Sequence, residues 1–302
     1  MVRVRGLFIN LDEAAERRDQ ISGHLQELGL GQTYSRFPAC RSDPAEAAAR
    51  NLHVGELGLW KSWLALLEEQ IDAAEANEFD YLHILEDDAE LSSLLPIFLQ
   101  GLGAERSDFD LLFTEMYVTP EIWLHLKNQV ETIRRSNSVI LHRDRYNGCA
   151  SSVLIPRTRI RLIEQTIRRQ IESSAALLPF DNCLRLLKHN RQLSLACTMP
   201  FLSAVRLSGI GMSTIQINVD QNNPLRLTQE LNALLRRDLS VLGDAASSEA
   251  VMRIVRELAQ ATQCQDFSRQ LVEAAVRIAI DQSLMRYRVD PRLKGQPDNP
   301  QG

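Results

Sequence analysis

The chain of 302 residues is 44% hydrophobic and 24% charged, and its formal net charge is −5. This composition is ordinary for a globular protein, and the length suits one large α/β domain or a catalytic domain with an appendage. The acidic balance excludes an overall electrostatic footprint for nucleic acid and leaves only a local basic groove open. We therefore expect no nucleic-acid partner.

The five cysteines are scattered along the chain without a CxxC pair. This spacing indicates neither a zinc site nor a disulfide framework, and it fits a reducing compartment. The opening stretch "MVRVRGLFIN" lacks the long apolar segment of a signal peptide, and no run approaches the roughly 18 apolar residues of a membrane span. We therefore expect a cytoplasmic protein.

The beginning of the chain predicts a strand, a helix and a second strand. "VRVRGLFINL" has the apolar, β-rich character of a strand. "DEAAERRDQISGHLQELGL" carries apolar residues at helical spacing, with Asp12 as its predicted N-cap and Gly29 at its end. "TYSRFPA" is predicted to be the second strand.

A second unit of the same kind follows. "GELGLWKSWLALLEEQIDAAEA" has the apolar stripe of an amphipathic helix. "FDYLHIL" is predicted to be the third strand, and it stops at Glu86, Asp87 and Asp88. "FDLLFTEMYV" is predicted to be the fourth strand, with Glu115 at its far end.

The middle of the chain continues the alternation. "SVILHRD", "CASSVLI" and "QLSLACTMPFLSAV" are predicted to be extended. Pro156 is expected to open the helix "RTRIRLIEQTIRRQIESS", and another helix, "PFDNCLRLLKH", starts behind Pro179. Because strands alternate with helices, we expect an α/β fold with a mainly parallel sheet that is covered on both faces.

From about residue 224 the pattern changes to three amphipathic helices without strands between them. We therefore divide the chain into an α/β domain (1–222), an all-α extension (223–288) and a polar tail (289–302) that is expected to be disordered.

The three consecutive acids are the first candidate for a functional site. Strand alternation places Glu86 and Asp88 on one side and Asp87 on another. They follow a buried strand at its carboxyl end, where open α/β sheets bind ligands, and oxygen ligands there suit Mg²⁺ or Mn²⁺. The alternative is a solvated acid cluster, or helix N-terminal charge before a helix starting near Ser92.

Other signatures of chemistry are missing from the sequence. It contains no P-loop, no GxGxxG after a strand, no GxSxG elbow and no HExxH. His83 lies within the third predicted strand, where a core histidine is a more ordinary interpretation than a metal ligand.

Several fragments, in order, resemble glycosyltransferase family 25, the lipopolysaccharide and collagen-type galactosyltransferases. "INLDEAAERR" resembles the family's "INLDRRPDRR", "GELGLWKSW" its "GExGCxLSH", "ILEDDAEL" its "ILEDD", and "PFDNCL" its "PxDxxL". Weaker matches lie in "NGCASSVLIPRTRIRLI" and in "TMPFLSAVRLSGIGMSTI". The resemblance covers roughly residues 5 to 215. The matching residues are Asn10, Leu11, Asp12, Arg17, Arg18, Gly55, Glu56, Gly58, Ser62, Glu86, Asp87, Asp88, Gly148, Pro179, Asp181, Pro200, Ser213 and Ile215.

The resemblance implies a Rossmann-like transferase of the GT-A type, which moves a hexose, galactose or glucose, from a UDP-sugar to a glycan or glycolipid with inversion. It implies that Asp88 and Glu86 bind Mn²⁺ or Mg²⁺, and that Asp87 or Glu86 reaches the ribose or an ordered water. The cation would stabilise the departing nucleoside diphosphate.

The resemblance also implies roles for residues outside the acid cluster. Asp181 would be the general base, although as the alternative it caps the helix behind Pro179. Asn10 and Arg17 would contact the nucleotide. Glu56 and Ser62 would line the donor or acceptor side.

The chain departs from the family pattern at two places. Leu59 and Trp63 stand where the family has Cys and His, and Cys149-Ala150-Ser151-Ser152 stands for Thr-x-Ala-Tyr. Two alternatives therefore stay open: a Mg²⁺-dependent phosphohydrolase or nucleotidyltransferase, and a non-catalytic nucleotide-sugar or glycan-binding module.

The predicted C-terminal helices carry three further alternatives. Their basic residues would give peripheral membrane contact, which suits a lipid-linked acceptor, or the helices would form a homo-oligomer or pack on the domain. The basic residues concerned are Arg236, Arg237, Arg253 and Arg256.

Overall fold

A seven-stranded sheet in the order β2-β1-β3-β7-β5-β8-β6 forms the centre of the fold, and a two-stranded sheet pairs β4 with β9. The computed structural model describes residues 2–103, 108–116, 140–143, 146, 148–199 and 201–206. The strands are β1 (Val4–Asn10), β2 (Tyr34–Pro38), β3 (Tyr81–Glu86), β4 (Ala89–Leu91), β5 (Leu111–Phe113), β6 (Ile140–Arg143), β7 (Ser152–Pro156), β8 (Leu195–Met199) and β9 (Ser203–Val205).

Six α-helices are seen in these ranges, and they flank the sheet. They are α1 (Ala15–Glu27), α2 (Pro44–Ala49), α3 (Val54–Glu75), α4 (Leu95–Gly101), α5 (Ile160–Ser173) and α6 (Phe180–His189). A single 3₁₀ turn, Arg157–Arg159, precedes α5. Within the same ranges, no helix combines the length and the apolar character needed to cross a membrane.

The α/β class is confirmed, and the central sheet is mixed: five of its seven strands run in one direction, as expected for a mainly parallel sheet, and β7 and β6 run in the other, which was not expected. β1 is parallel to both β2 and β3, and β5 is parallel to β8. β7 runs antiparallel between β3 and β5, and β6 runs antiparallel to β8. Strand and helix periodicity carries no information on strand direction, which is why the sequence did not predict this reversal.

Two apolar clusters cover the two faces of the sheet, because alternate residues of each strand point to opposite sides. Leu82 and Ile84 of β3 belong to the cluster that includes buried residues of α3, α5 and α6. Tyr81 and Leu85 belong to the cluster with α1 and α4. The carboxyl end of β3 is therefore held between two packed layers.

Three local features differ from the sequence-based expectation. Asp12 is not the N-cap of α1, because its carboxylate pairs with Arg36 and the helix starts at Ala15. Pro156 ends β7 and is the N-cap of the 3₁₀ turn that leads into α5, so it lies just before the first helical turn and not within it. The next residue, Arg157, donates its N–H to the Asp80 carbonyl. α2, whose N-cap Asp43 accepts the Ala45 and Glu46 N–H groups, was not predicted.

The predicted C-terminal extension and tail lie outside the described residues, as do Pro200, Ser213 and Ile215 of the family pattern. The division of the chain into 1–222, 223–288 and 289–302 therefore stays a prediction. So do the roles expected for the basic residues of the extension.

Candidate functional site

The three acids lie where β3 turns into β4. Glu86 is the last residue of β3, Asp87 and Asp88 form the turn, and Ala89 begins β4. Because β1 and β3 are parallel and in register, Ile9 lies opposite Glu86, and the carboxyl ends of both strands meet at this edge. This is the edge of an α/β sheet where ligands bind.

Asp87 is anchored by the protein itself. Its Oδ2 accepts a hydrogen bond of 2.6 Å from the Asn10 side-chain amide, and its Oδ1 lies 3.3 Å from Arg17 Nη1. Burial raises the pKa of Asp87, and the contacts with Asn10 and Arg17 oppose this rise. Asp87 therefore joins the turn to the carboxyl end of β1 and to the first turn of α1.

Asn10 is held from a second side. The Asn10 amide also donates to the Ala14 carbonyl at 3.0 Å, and Asn10 Oδ1 accepts from Arg36 Nε at 3.0 Å. Its side chain is 1% exposed. Its hydrogen-bonding groups are thus engaged inside the protein, and Arg17, which is 25% exposed, is the more accessible of the two residues expected to contact a nucleotide.

Glu86 and Asp88 have a different environment from Asp87. Burial raises the pKa of Glu86 well above its usual range, and the charges of Asp88, Asp181 and Asp87 add to this rise. Burial and the charge of Asp87 raise the pKa of Asp88 to about 6, against the opposing effects of Arg17 and Arg206. In the described part of the chain, Asp88 Oδ1 is buried without a hydrogen-bond partner.

Asp181 approaches the acids from α6. It lies in the first turn of that helix, whose N-cap is Pro179, and no side chain caps the helix by a hydrogen bond. Asp181 Oδ2 instead accepts the N–H of Cys149 at 2.7 Å. Burial raises the pKa of Asp181 to about 6, although this hydrogen bond lowers it. The capping alternative is therefore not what the carboxylate does.

The N–H of Cys149 reaches Asp181 through an unusual turn. Gly148 has φ 109° and Cys149 has φ 75°, a left-handed conformation that costs a non-glycine residue about 1 kcal/mol or more. Two residues on, the Ser151 carbonyl accepts the Glu86 N–H at 2.8 Å. The residues before β7 thus link α6 to the end of β3.

The carboxyl groups fit a divalent cation in charge and in ligand type. Glu86 lies within electrostatic reach of Asp88 and of Asp181, and one buried oxygen of Asp88 has no hydrogen-bond partner among the described residues, which is an arrangement that a hard cation would relieve. Across the ranges described, no three His, Cys, Asp or Glu side chains are close enough to hold a metal ion alone. Glu86 and Asp88 would therefore bind it together with ligands from a substrate.

Glu56 and Ser62 form hydrogen bonds that stabilise α3, and none of their described contacts involves the acids. Glu56 Oε2 accepts the N–H of His53 at 2.8 Å and so stabilises the start of α3. The Ser62 hydroxyl donates to the Gly58 carbonyl at 2.7 Å and accepts the Cys40 N–H at 2.8 Å. Their expected contact with donor or acceptor stays a prediction.

Leu59 and Trp63, the two residues of α3 that depart from the family pattern, pack in the core. Trp63 is fully buried, with its ring centroid 4.8 Å from that of Phe180, and Leu59 is a partly buried residue packed on the same cluster. Trp63 therefore packs against the residue that precedes Asp181. Trp63 would therefore affect a site only indirectly, by fixing the position of α6 and hence of Asp181.

Three residues near the acids were missed by sequence reasoning. Arg36 locks Asn10, Arg206 donates its backbone N–H to the Asp88 carbonyl at 2.7 Å, and Tyr146 is buried near Asp181. For Arg36 one indication was present in the sequence, because it lies in the predicted strand that follows the strand of Asn10. Nothing in a local pattern marked Arg206 or Tyr146, because their partners are distant in sequence.

Comparison with known proteins yields no match: no family model matches the chain, and neither does any curated protein. The resemblance to glycosyltransferase family 25 therefore depends on its motifs. Two of these motifs, "INLD" and "ILEDD", contact each other through Asn10 and Asp87, and Asp181 of a third lies within electrostatic reach of Glu86.

Proposed function

We propose that the protein is an inverting glycosyltransferase that transfers a hexose, galactose or glucose, from a UDP-sugar to a glycan or glycolipid. The observation that carries this proposal is the grouping of Glu86, Asp88 and Asp181 at the carboxyl end of β3. A metal and diphosphate site and a general base are both needed for such a transfer, and this grouping offers carboxyl groups for each.

The architecture supports the finer assignment to the GT-A type, which remains part of the proposal. β1, β2 and β3 form a parallel unit with α1 between β1 and β2, which is the Rossmann-like half expected to hold a nucleotide. The acidic turn follows the third strand of this unit.

At the donor end of the site, Glu86 and Asp88 supply the carboxylates and Arg17 supplies a positive charge. Arg17 lies 3.3 Å from Asp87 and remains partly exposed, so its guanidinium is available to a phosphate oxygen. A divalent cation bound between Glu86 and Asp88 would stabilise the negative charge of the departing nucleoside diphosphate. Asp87 holds the turn in place for both residues.

At the acceptor end, Asp181 would take the proton of the acceptor hydroxyl as that oxygen attacks the anomeric carbon. A base works best when its pKa lies near the working pH. Burial raises the pKa of Asp181 to about 6, so at neutral pH it is mostly deprotonated and more basic than an exposed carboxylate. The hydrogen bond from Cys149 leaves one oxygen, Oδ1, for the acceptor.

Thermal unfolding with UDP-, GDP- and CMP-sugars, each with and without Mn²⁺, tests the proposal. A UDP-sugar at 100 times its dissociation constant should add about 2.7 kcal/mol of stability, and only when Mn²⁺ is present. The proposal fails if no nucleotide sugar stabilises the protein with Mn²⁺.

The products formed with UDP-galactose or UDP-glucose separate transfer from the two alternatives. Release of UDP together with a sugar of inverted anomeric configuration supports the transferase. Cleavage of the diphosphate itself would indicate a phosphohydrolase or nucleotidyltransferase, and binding without turnover would indicate a binding module. In the thermal unfolding assay, Asp88→Asn should lose the Mn²⁺-dependent stabilisation. Asp19→Asn, which removes an exposed carboxylate from α1, is the matched control and should keep it.

A further inference from the structure

The hydroxyl of Tyr146 is a buried polar group that the site described above does not use. Tyr146 is 1% exposed, and within the described residues its hydroxyl has no hydrogen-bond partner. Buried polar groups in folded proteins are nearly always paired, since an unpaired one loses its bonds to water without compensation. This hydroxyl is therefore available to a partner from outside the described fold.

Tyr146 is held in place by contacts that do not involve its hydroxyl. Its ring stacks on Phe113, with centroids 3.9 Å apart and an interplanar angle of 29°. Its backbone carbonyl accepts a hydrogen bond of 3.1 Å from Lys188 Nζ on α6. Three residues on, the Cys149 N–H bonds to Asp181 on the same helix. The phenol ring is therefore fixed beside α6, independently of any partner for the hydroxyl.

Tyr146 lies on the face of the sheet that carries Glu86, and it precedes by three residues the Cys149 N–H that binds Asp181. Tyr146 shares its apolar cluster with Ile84, and strand alternation puts Glu86 on the same face of β3 as Ile84. Burial raises the pKa of Tyr146 well above its usual range, and the charges of Asp181 and Glu86 are among those that raise it further. The hydroxyl therefore stays protonated at any physiological pH and is a hydrogen-bond donor.

The geometry of an inverting transfer indicates where the transferred sugar must lie relative to Asp181, Glu86 and Asp88. The anomeric carbon must sit between the attacking oxygen and the departing diphosphate oxygen. On the proposed function, on which this inference rests, Asp181 marks the attacking side, and Glu86 and Asp88 mark the departing side. A donor group on the face of β3 that carries Glu86, next to the segment that binds Asp181, is therefore placed on the side of the sugar that is being transferred.

We propose that the Tyr146 hydroxyl donates a hydrogen bond to a hydroxyl group of the hexose ring of the UDP-sugar, and that Tyr146 is a specificity-determining residue. A sugar that lacks this hydroxyl leaves the phenol unpaired and is bound less well. UDP itself has no hexose ring and makes no such contact.

Calorimetric titration of UDP and of UDP-galactose or UDP-glucose, all with Mn²⁺, into wild type and Tyr146→Phe tests the inference. Phe keeps the ring stack on Phe113 and removes only the hydroxyl. We expect the Kd of the UDP-sugar to rise about 3- to 10-fold in the variant, as for the loss of one neutral hydrogen bond, and the Kd of UDP to stay unchanged. Tyr34→Phe, which removes a buried hydroxyl bonded to His83, is the matched control and should change neither Kd.

A panel of mono-deoxy UDP-hexoses gives a second measurement that does not depend on the folding of a variant. Wild type should bind one deoxy donor about 3- to 10-fold more weakly than the parent sugar, and Tyr146→Phe should not distinguish the two. Equal binding of all deoxy donors by wild type overturns the inference.

The outcomes separate this inference from the proposed function. If wild type binds neither UDP nor a UDP-sugar, both are overturned. If both ligands bind and Tyr146→Phe changes neither Kd, or weakens both equally, this inference alone is overturned, because the hydroxyl then serves the fold or the nucleotide.

Discussion

The side-chain amide of Asn10 donates a 2.6 Å hydrogen bond to Asp87, and this contact joins the carboxyl ends of β1 and β3. Asp87 thus has protein partners, whereas the buried Oδ1 of its neighbour Asp88 has none among the described residues. Two adjacent acids in one turn therefore have different tasks: Asp87 supports the structure and Asp88 is available to a ligand.

Replacing Asp87 and Asp88 separately by Ala should affect different properties: the stability of the fold for Asp87, and the Mn²⁺-dependent binding of a UDP-sugar for Asp88. Asp87→Ala leaves the buried amide of Asn10 without an acceptor and should lower the free energy of unfolding by about 1–3 kcal/mol. Asp88→Ala removes a carboxylate that burial and repulsion destabilise, so the fold should be retained while the Mn²⁺-dependent stabilisation by a UDP-sugar is lost. Thermal unfolding with and without ligands measures both effects. An unchanged Mn²⁺-dependent shift in Asp88→Ala would move the metal elsewhere.

Asp181→Asn should make the ligand-free protein more stable at neutral pH and not at acid pH. Burial raises the pKa of Asp181 from its ordinary value of 3.8 to about 6, so the folded state binds this proton more tightly than the unfolded state does. The stabilisation from the protonated form is complete below pH 3.8 and is lost as the pH rises through 6. Asn keeps an oxygen for the Cys149 N–H and cannot ionise.

Unfolding midpoints of wild type and Asp181→Asn at pH 4 and pH 7.5 measure this effect. A shift of about two pKa units sets an upper limit of about 3 kcal/mol for the gain at pH 7.5. Any transfer activity should be lost in the same variant. Parallel stability curves for the two proteins would show that Asp181 is not perturbed by burial.

His83→Gln should remove part of the loss of stability in acid. His83 is fully buried between the Tyr34 hydroxyl, 2.5 Å from Nδ1, and the Ser152 hydroxyl, 2.9 Å from Nε2. Burial lowers the pKa of His83 from 6.5 to about 3. Between these two pH values the unfolded chain binds a proton at His83 and the folded protein does not. Stability is therefore complete above pH 6.5 and falls as the pH drops towards 3.

The loss from His83 should reach about 2–3 kcal/mol at pH 4.5, two units below the ordinary pKa. Urea unfolding at pH 7.5 and 4.5 compares the variants. Tyr34→Phe is the control, since it removes a hydrogen bond at every pH but leaves a buried histidine to be charged. If His83→Gln loses as much stability in acid as wild type, another group is responsible.

Gly6→Ala should destabilise the edge of the sheet. A Cβ on Gly6 would lie 2.3 Å from the Tyr34 ring, which crosses β1 at this point to reach His83. The ring cannot move without breaking that contact, so we expect a loss of about 1–3 kcal/mol. Gly23→Ala on α1, where nothing lies within 4 Å of the added Cβ, should instead gain about 0.5–1 kcal/mol. Thermal unfolding compares the two, and equal shifts would rule out steric conflict at Gly6.

The sequence predicted those parts of the fold that depend on local pattern. β1, β3 and α3 follow from an apolar run, a run stopped by acids and an amphipathic stripe. The direction of β7 depends on which strands it pairs with, and the start of α1 depends on a salt bridge between Asp12 and Arg36. Neither interaction leaves a periodic signal.

The same division holds for the candidate site. The three neighbouring acids were recognisable from the sequence. Strand alternation, however, applies only as far as Glu86, because Asp87 and Asp88 form a turn after β3 ends. The bond between Asp181 and the Cys149 N–H was not predictable, because it joins residues 32 positions apart through a left-handed turn. A role for Tyr146 was not predictable from the sequence either, since only its surroundings in the fold distinguish it from any other core tyrosine.

On the proposed function, the reversed direction of β7 decides where the sugar specificity can be redesigned. The chain enters β7 at the edge where β3 ends, so residues 148–151 present the Cys149 N–H to Asp181 and the Ser151 carbonyl to Glu86. It leaves β7 at the opposite edge, roughly 15 Å away for a strand of this length. A mutant library aimed at new sugars should therefore vary the segment before β7. Mutations in Arg157–Arg159, after the strand, would alter the surface without reaching the acids.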